Sequence, residues 1–122
     1  MNDLPPVSGA DVLHARLTVV DGLIVSDFNR AIFQDMRRGG ITAANCTCCI
    51  WEGFTGTMRN IMQWKQWFRD NDDLILQVHS TADIRRAKAE GKTGIILGWQ
   101  NITGIEDQIS MKRWNARSVR PP

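Results

Sequence analysis

A chain of 122 residues that is 43% apolar and 23% charged has the composition of one globular domain, which excludes a disordered polymer over most of its length. Its formal net charge of +2 hides an asymmetry, because Lys112, Arg113, Arg117 and Arg120 lie in the last twelve residues, which hold no acid, and the remaining 11 Lys and Arg face 13 Asp and Glu. A mildly acidic body lacks the dense basic face that a phosphate backbone requires, so no nucleic-acid partner is expected.

Residues 1–16 read as an N-terminal extension. Met1 to Ala10 has neither a basic start nor an apolar stretch, so it does not resemble a secretory leader. Leu17 to Val25, rich in Leu, Val and Ile and broken only by Asp21-Gly22, suits a strand covered on both faces. Asn29 to Arg38 follows as a helix with Ala31, Ile32, Asp35 and Met36 at helical spacing, stopped by Gly39-Gly40.

Ile41 to Trp51 is small, β-branched and apolar, which predicts a second buried strand ended by Glu52-Gly53. Thr55 or Thr57 can cap the next helix, in which Met58, Ile61, Met62, Lys65 and Phe68 form a stripe widened by Trp64 and Trp67. Asn71-Asp72-Asp73 is a turn, and Leu74 to Val78 is either a strand or a helix-docking loop. Ser80 or Thr81 starts a helix through Ala89, with Gly91 as its left-handed cap, and Lys92 to Gly98 is a third buried strand. Strand, helix, strand, helix, strand with unbroken apolar strands predicts right-handed βαβ units on a parallel sheet.

No apolar run approaches the roughly 20 residues that cross a bilayer, so no membrane span is expected. Three cysteines, an odd number, favour reduced thiols and a cytoplasmic setting over a disulfide framework. Cys46, Cys48 and Cys49 form the densest cluster of soft ligands, but a strand turns Cys46 and Cys48 to one side and Cys49 to the other. A structural zinc needs four ligands, and no second pair follows, so the thiols read as small core hydrophobes. His14 and His79 flank predicted elements and read as surface or capping residues.

Val19-Val20-Asp21-Gly22, Met36-Arg37-Arg38-Gly39-Gly40-Ile41, Ala82-Asp83-Ile84, Ala87-Lys88-Ala89-Glu90-Gly91-Lys92 and Ile95-Ile96-Leu97-Gly98 occur in an order and spacing that carry a family signal. Together they resemble the N-terminal portion of the membrane (renal) dipeptidase family. The resemblance implies a TIM-type (β/α)8 barrel of the metallo-dependent hydrolase kind, of which this chain supplies about three β/α units over residues 17–108. It also implies hydrolysis of a dipeptide-like small molecule by two zinc ions at the C-terminal ends of the strands.

Two departures from the family pattern bear on that chemistry. Family members usually continue Asp-Gly as His-x-Asp, whereas this sequence places Leu23 and Val25 at the ligand positions, and neither side chain has a lone pair to donate. Where the family has a bridging Glu after Gly-x, this chain has Gln100, a neutral amide. No catalytic residue is therefore assigned and no zinc is expected to bind in the normal way. Trp99, Gln100 and Asn101 are expected to line the pocket, and Asp21 to support the site from behind by orienting its neighbours or holding the loop.

A barrel of this type needs about 250 residues, so three units leave an open sheet edge that invites self-association or a covering partner. Residues 109–122 stop resembling the family and form an atypical basic tail, as a truncated or frame-shifted product would. The expectation is a dipeptidase-like hydrolase portion that is itself inactive. The alternative is a metal-free barrel piece that binds a small ligand or depends on a partner, and a product without a selected function is a third reading.

Overall fold

The computed structural model describes residues 8–101. The basic tail at 109–122, the last stretch of the barrel portion at 102–108 and the first seven residues of the extension lie outside the described residues.

The extension carries a helix that its composition did not announce. Helix α1 (Gly9–Arg16) is fixed by local chemistry alone: Ser8 Oγ accepts from Asp11 N at 3.1 Å while Asp11 Oδ2 accepts from Ser8 N at 2.9 Å. None of its residues is buried. Its C-terminal end is tied to the body by Lys88 Nζ, which donates to the Leu17 carbonyl at 2.7 Å.

Strand β1 (Val20–Ile24) and helix α2 (Arg30–Arg38) fall within the expected segments. Asn29 caps α2 by accepting from Ala31 N at 2.9 Å and Ile32 N at 3.2 Å. The buried side chains of α2 are Phe33 and Met36, while Ala31 and Asp35 are exposed. The stripe read from the sequence thus holds for Ile32, which packs against the core, and Met36, but it left out Phe33, the largest side chain on the helix.

Strand β2 (Ala43–Thr47) stops four residues short of the expected end at Trp51. The cause is polar. Thr47 Oγ1 donates to the Cys49 carbonyl at 3.0 Å, and the Glu52 carboxylate accepts from Ile50 N at 2.7 Å and Trp51 N at 3.1 Å, which folds the chain into a loop. Helix α3 (Phe54–Asp70) then begins at Gly53, with no side-chain cap. Thr57, expected as a possible cap, is fully buried in the helix, and Thr55 lies inside it.

The segment left open between strand and loop is strand β3 (Ile75–Gln77). Ser80 caps helix α4 (Thr81–Glu90), and the Asp83 carboxylate takes back the N–H groups of His79 and Ser80, both at 3.0 Å. Gly91 ends that helix with φ +64°, a left-handed cap that only glycine adopts without strain. Strand β4 (Thr93–Gly98) follows.

All pairings are parallel and the spatial order is β1-β2-β4-β3. The three strands that carry the family pattern are consecutive neighbours, with β2 and β4 in unbroken register from Ala43–Gly94 to Thr47–Gly98. The short β3 adds to the far side of β4 through Ile75–Thr93, Leu76–Gly94 and Gln77–Ile95. This is a parallel α/β sheet consistent with part of a TIM-type barrel.

Alternation along β2 divides the sheet into two faces. Ala44 and Cys46 point with Ile95 into the main core, which contains Phe33 and Met36 of α2 and Trp64 of α3. Trp64 is 1% exposed and meets Phe28, Phe33, Trp67 and Phe68 with ring centroids 4.7 to 6.0 Å apart. The sequence stripe on α3 holds for Ile61, Trp64 and Phe68, but Met62 is 71% exposed and Lys65 reaches out to donate to Gln77 Oε1 at 2.6 Å. The other face of the sheet carries Ala43, Asn45 and Thr47 beside Gly94, Ile96 and Gly98.

Candidate functional site

The C-terminal ends of β1, β2 and β4 converge where parallel α/β sheets place their ligand sites. Among the described residues, the loop after β1, the end of β2 and α3 enclose a cleft of about 450 Å³ whose walls include Val25, Asp27, Phe28, Cys48, Glu52 and Trp67. Its floor is therefore apolar and aromatic, and two carboxylates stand at its rim.

Glu52 is the residue that sequence reasoning passed over, having read it only as the end of a strand. Its carboxylate is held below the usual range first by the Ile50 N–H, with the Trp51 N–H and the Asn60 side chain adding to it. Asn60 Nδ2 donates to the Cys48 carbonyl at 3.0 Å. A lone acid between Trp51 and Gly53, at the end of an apolar run, is the sign of this that the sequence offers.

The same loop is stitched to the end of β4. Cys48 N donates to the Gly98 carbonyl at 2.8 Å, Gln100 N donates to the Cys49 carbonyl at 3.0 Å, and Asn101 Nδ2 donates to the Ile50 carbonyl. Trp99, Gln100 and Asn101 thus stand at the end of the sheet where the cleft opens, but its walls come from β1, β2 and α3. Trp99 is 43% exposed and the Gln100 side chain is exposed as well.

Leu23 and Val25 occupy the end of β1. Ile24 pairs with Cys46 and packs on the main core, so Leu23 points to the other face, where it is 47% exposed, while Val25 follows the strand, 55% exposed, and lines the cleft. Asp21 Oδ1 accepts from Leu23 N at 3.0 Å at the point where the register of β1 against β2 shifts, so this carboxylate holds the bulge that turns Leu23 outward.

The three thiols are all buried and none is in a disulfide. Burial pushes Cys46 up to about 12, with Cys48 and Asp21 adding repulsion, and burial with Cys49 nearby pushes Cys48 up to about 11. A thiol so disfavoured as thiolate is neither a nucleophile nor a metal ligand at neutral pH. His14 packs its imidazole over Gly40, 2.8 Å from where a Cβ would stand, and His79 is exposed. Neither reaches the cleft.

The fit of a metal can be tested on these donors. Among the described residues no group of three or more His, Cys, Asp or Glu side chains could hold a metal ion. Leu23 and Val25 cannot ligate, and Gln100 is neutral, so the described residues do not fit a dinuclear centre.

No family model and no curated protein matches the chain. Solved structures do match. An amidohydrolase from Pseudomonas aeruginosa is 52% identical, with a TM-score of 0.78 over 87% of this chain and 33% of its own. The chain resembles one third of an amidohydrolase. A second structure, the probable dipeptidase PvdM from Pseudomonas aeruginosa, shares 21% identity with a TM-score of 0.66 over 91% of this chain and 35% of its own, and that likeness concerns the fold. The first agrees with a hydrolase resemblance, and both agree with part of a TIM-type barrel of the metallo-dependent hydrolase kind. No helix among the described residues is long and apolar enough to cross a membrane.

Proposed function

We propose that the chain is a hydrolase-family portion whose ligand site lies at the C-terminal mouth of the sheet and takes a small amide-bearing molecule, without the dinuclear zinc centre of the dipeptidase family. The observation that carries this reading is the placement of Leu23 and Val25. Leu23 stands exposed at the end of β1 and Val25 exposed just beyond it, and both offer only hydrocarbon. The 52% identity to an amidohydrolase supports an amide as the substrate's functional group.

Residues 17–108 form the domain on this reading, and 1–16 and 109–122 flank it. Trp99, Gln100 and Asn101 line the mouth, and Asp21 holds the β1 end in place. Three buried thiols outside any disulfide fit a reducing cytoplasm. The free edges of β1 and β3 are where a second copy or further barrel strands would pair, and the mildly acidic body argues against a nucleic-acid partner.

Assay of the purified chain against a panel of dipeptides and simple carboxamides, with and without added zinc, tests the proposal. Ligand-dependent stabilisation without zinc-dependent turnover is expected. Saturable dipeptide hydrolysis that follows added zinc would overturn it.

A further inference from the structure

We infer that Asn45 is the polar residue of the open face that contacts the ligand, and that it accepts a hydrogen bond from an amide N–H of a small uncharged carboxamide. This rests on the reading of the C-terminal mouth as a small-molecule site.

The first observation is an unsatisfied atom. Among the described residues Asn45 Oδ1 is buried and has no hydrogen-bond partner. Leaving a buried acceptor unpaired forfeits its hydration with nothing in return, and folded proteins keep few such groups. Alanine or a small apolar residue at this position would carry no such penalty.

The second observation is the room made for it. A Cβ on Gly98 would stand 1.8 Å from Asn45 Oδ1, so the Asn45 side chain lies where a side chain of β4 would otherwise be. Gly98 is not one of the glycines with positive φ, which are Gly40 and Gly91, so its backbone does not demand glycine. The demand comes from the Asn45 amide. One strand therefore gives up a side chain so that its neighbour can keep a polar group that has no internal partner.

The third observation is where the pair stands. Asn45 alternates with Ala44 and Cys46, which enter the main core, so it belongs to the opposite face, opposite Ile96 and one step from the Thr47–Gly98 pair. Val20 of the neighbouring β1, paired with Ala43, and Leu23 share that face. Gln100 is a second neutral amide at the same end. Uncharged neighbours favour an uncharged ligand, since an isolated ion here would lose hydration with no countercharge to replace it. The terminal torsion of an asparagine is soft, so the carboxamide can turn toward the mouth when a donor arrives.

Acetamide titrated into the full chain, uniformly labelled with nitrogen-15, provides the test. Saturable shifts of the Asn45 side-chain amide pair and of the Gly98 amide are expected. Asn45→Ala should lose the shift at Gly98 while its melting temperature stays level or rises, because the unpaired acceptor is gone. A purely structural Asn45 would do the reverse, with a lower melting temperature and unchanged acetamide shifts. If acetamide moves Gln100 and the cleft residues but leaves Asn45 and Gly98 untouched, the inference fails and the proposed site stands. If no residue at this end responds, both fail.

Discussion

The two faces of this sheet obey different rules. One is closed by five aromatic rings and the side chains of α2 and α3, and every large group on it is satisfied by contact. The other leaves Val20 52% exposed and Leu23 47% exposed, and keeps an amide oxygen that nothing in the described chain pairs. Packing explains the first face in full and the second only in part, where Ala87 of α4 packs over Gly94 beside the buried Ala43. Residues retained against the interest of stability are where function is expected.

Substitutions can sharpen the contrast. The largest effect belongs to the closed face. Trp64→Ala removes the ring around which Phe28, Phe33, Trp67 and Phe68 gather and should cost about 3 to 5 kcal/mol in urea unfolding. A loss of under about 1 kcal/mol would mean that the ring does not hold the face together.

Gly98→Ala comes next on the open face, at about 1 to 3 kcal/mol from overpacking against Asn45. Combining it with Asn45→Ala should restore most of that loss, and strict additivity of the two changes would show that the residues do not share one space.

The rim of the cleft should report through pH. Because hydrogen bonds from the loop hold Glu52 below the usual carboxylate range, its contribution is fully present above the ordinary value of about 4.3 and disappears as pH falls through the lower folded value. Glu52→Gln should therefore lose less stability than the parent between about pH 6 and pH 3, as followed by thermal melts. Identical acid slopes would remove Glu52 from the account.

The smallest expected effect concerns the thiols. With Cys46 pushed up to about 12 and Cys48 to about 11, the folded chain should resist iodoacetamide near neutral pH and take up three adducts only after unfolding, as read by mass. Rapid labelling of the native chain would show that β2 opens.

Local chemistry was legible in the sequence. Asn29, Ser80 and Gly91 act where their residue types say they should, because a cap depends on neighbours three or four positions away. The buried strands and the order of helices were legible for a similar reason, since apolar runs must be covered. What escaped depends on distant partners. The place of β4 between β2 and β3 depends on long-range pairing, and β2 ends at Thr47 because of a carboxylate five residues on. The Asn45–Gly98 contact joins residues fifty-three positions apart, and nothing near either of them in the chain announces it.

At the site, the resemblance implies that Leu23, Val25 and Gln100 stand at the family's ligand positions, and the structure adds that Leu23 at the end of β1 and Val25 just beyond it are exposed. The central claim is that these residues leave no dinuclear metal centre. Metal analysis of the purified chain by mass spectrometry, after incubation with excess zinc and desalting, tests it most directly. The account predicts no zinc retained above the level of a zinc-free control protein, whereas two zinc ions held per chain would contradict it.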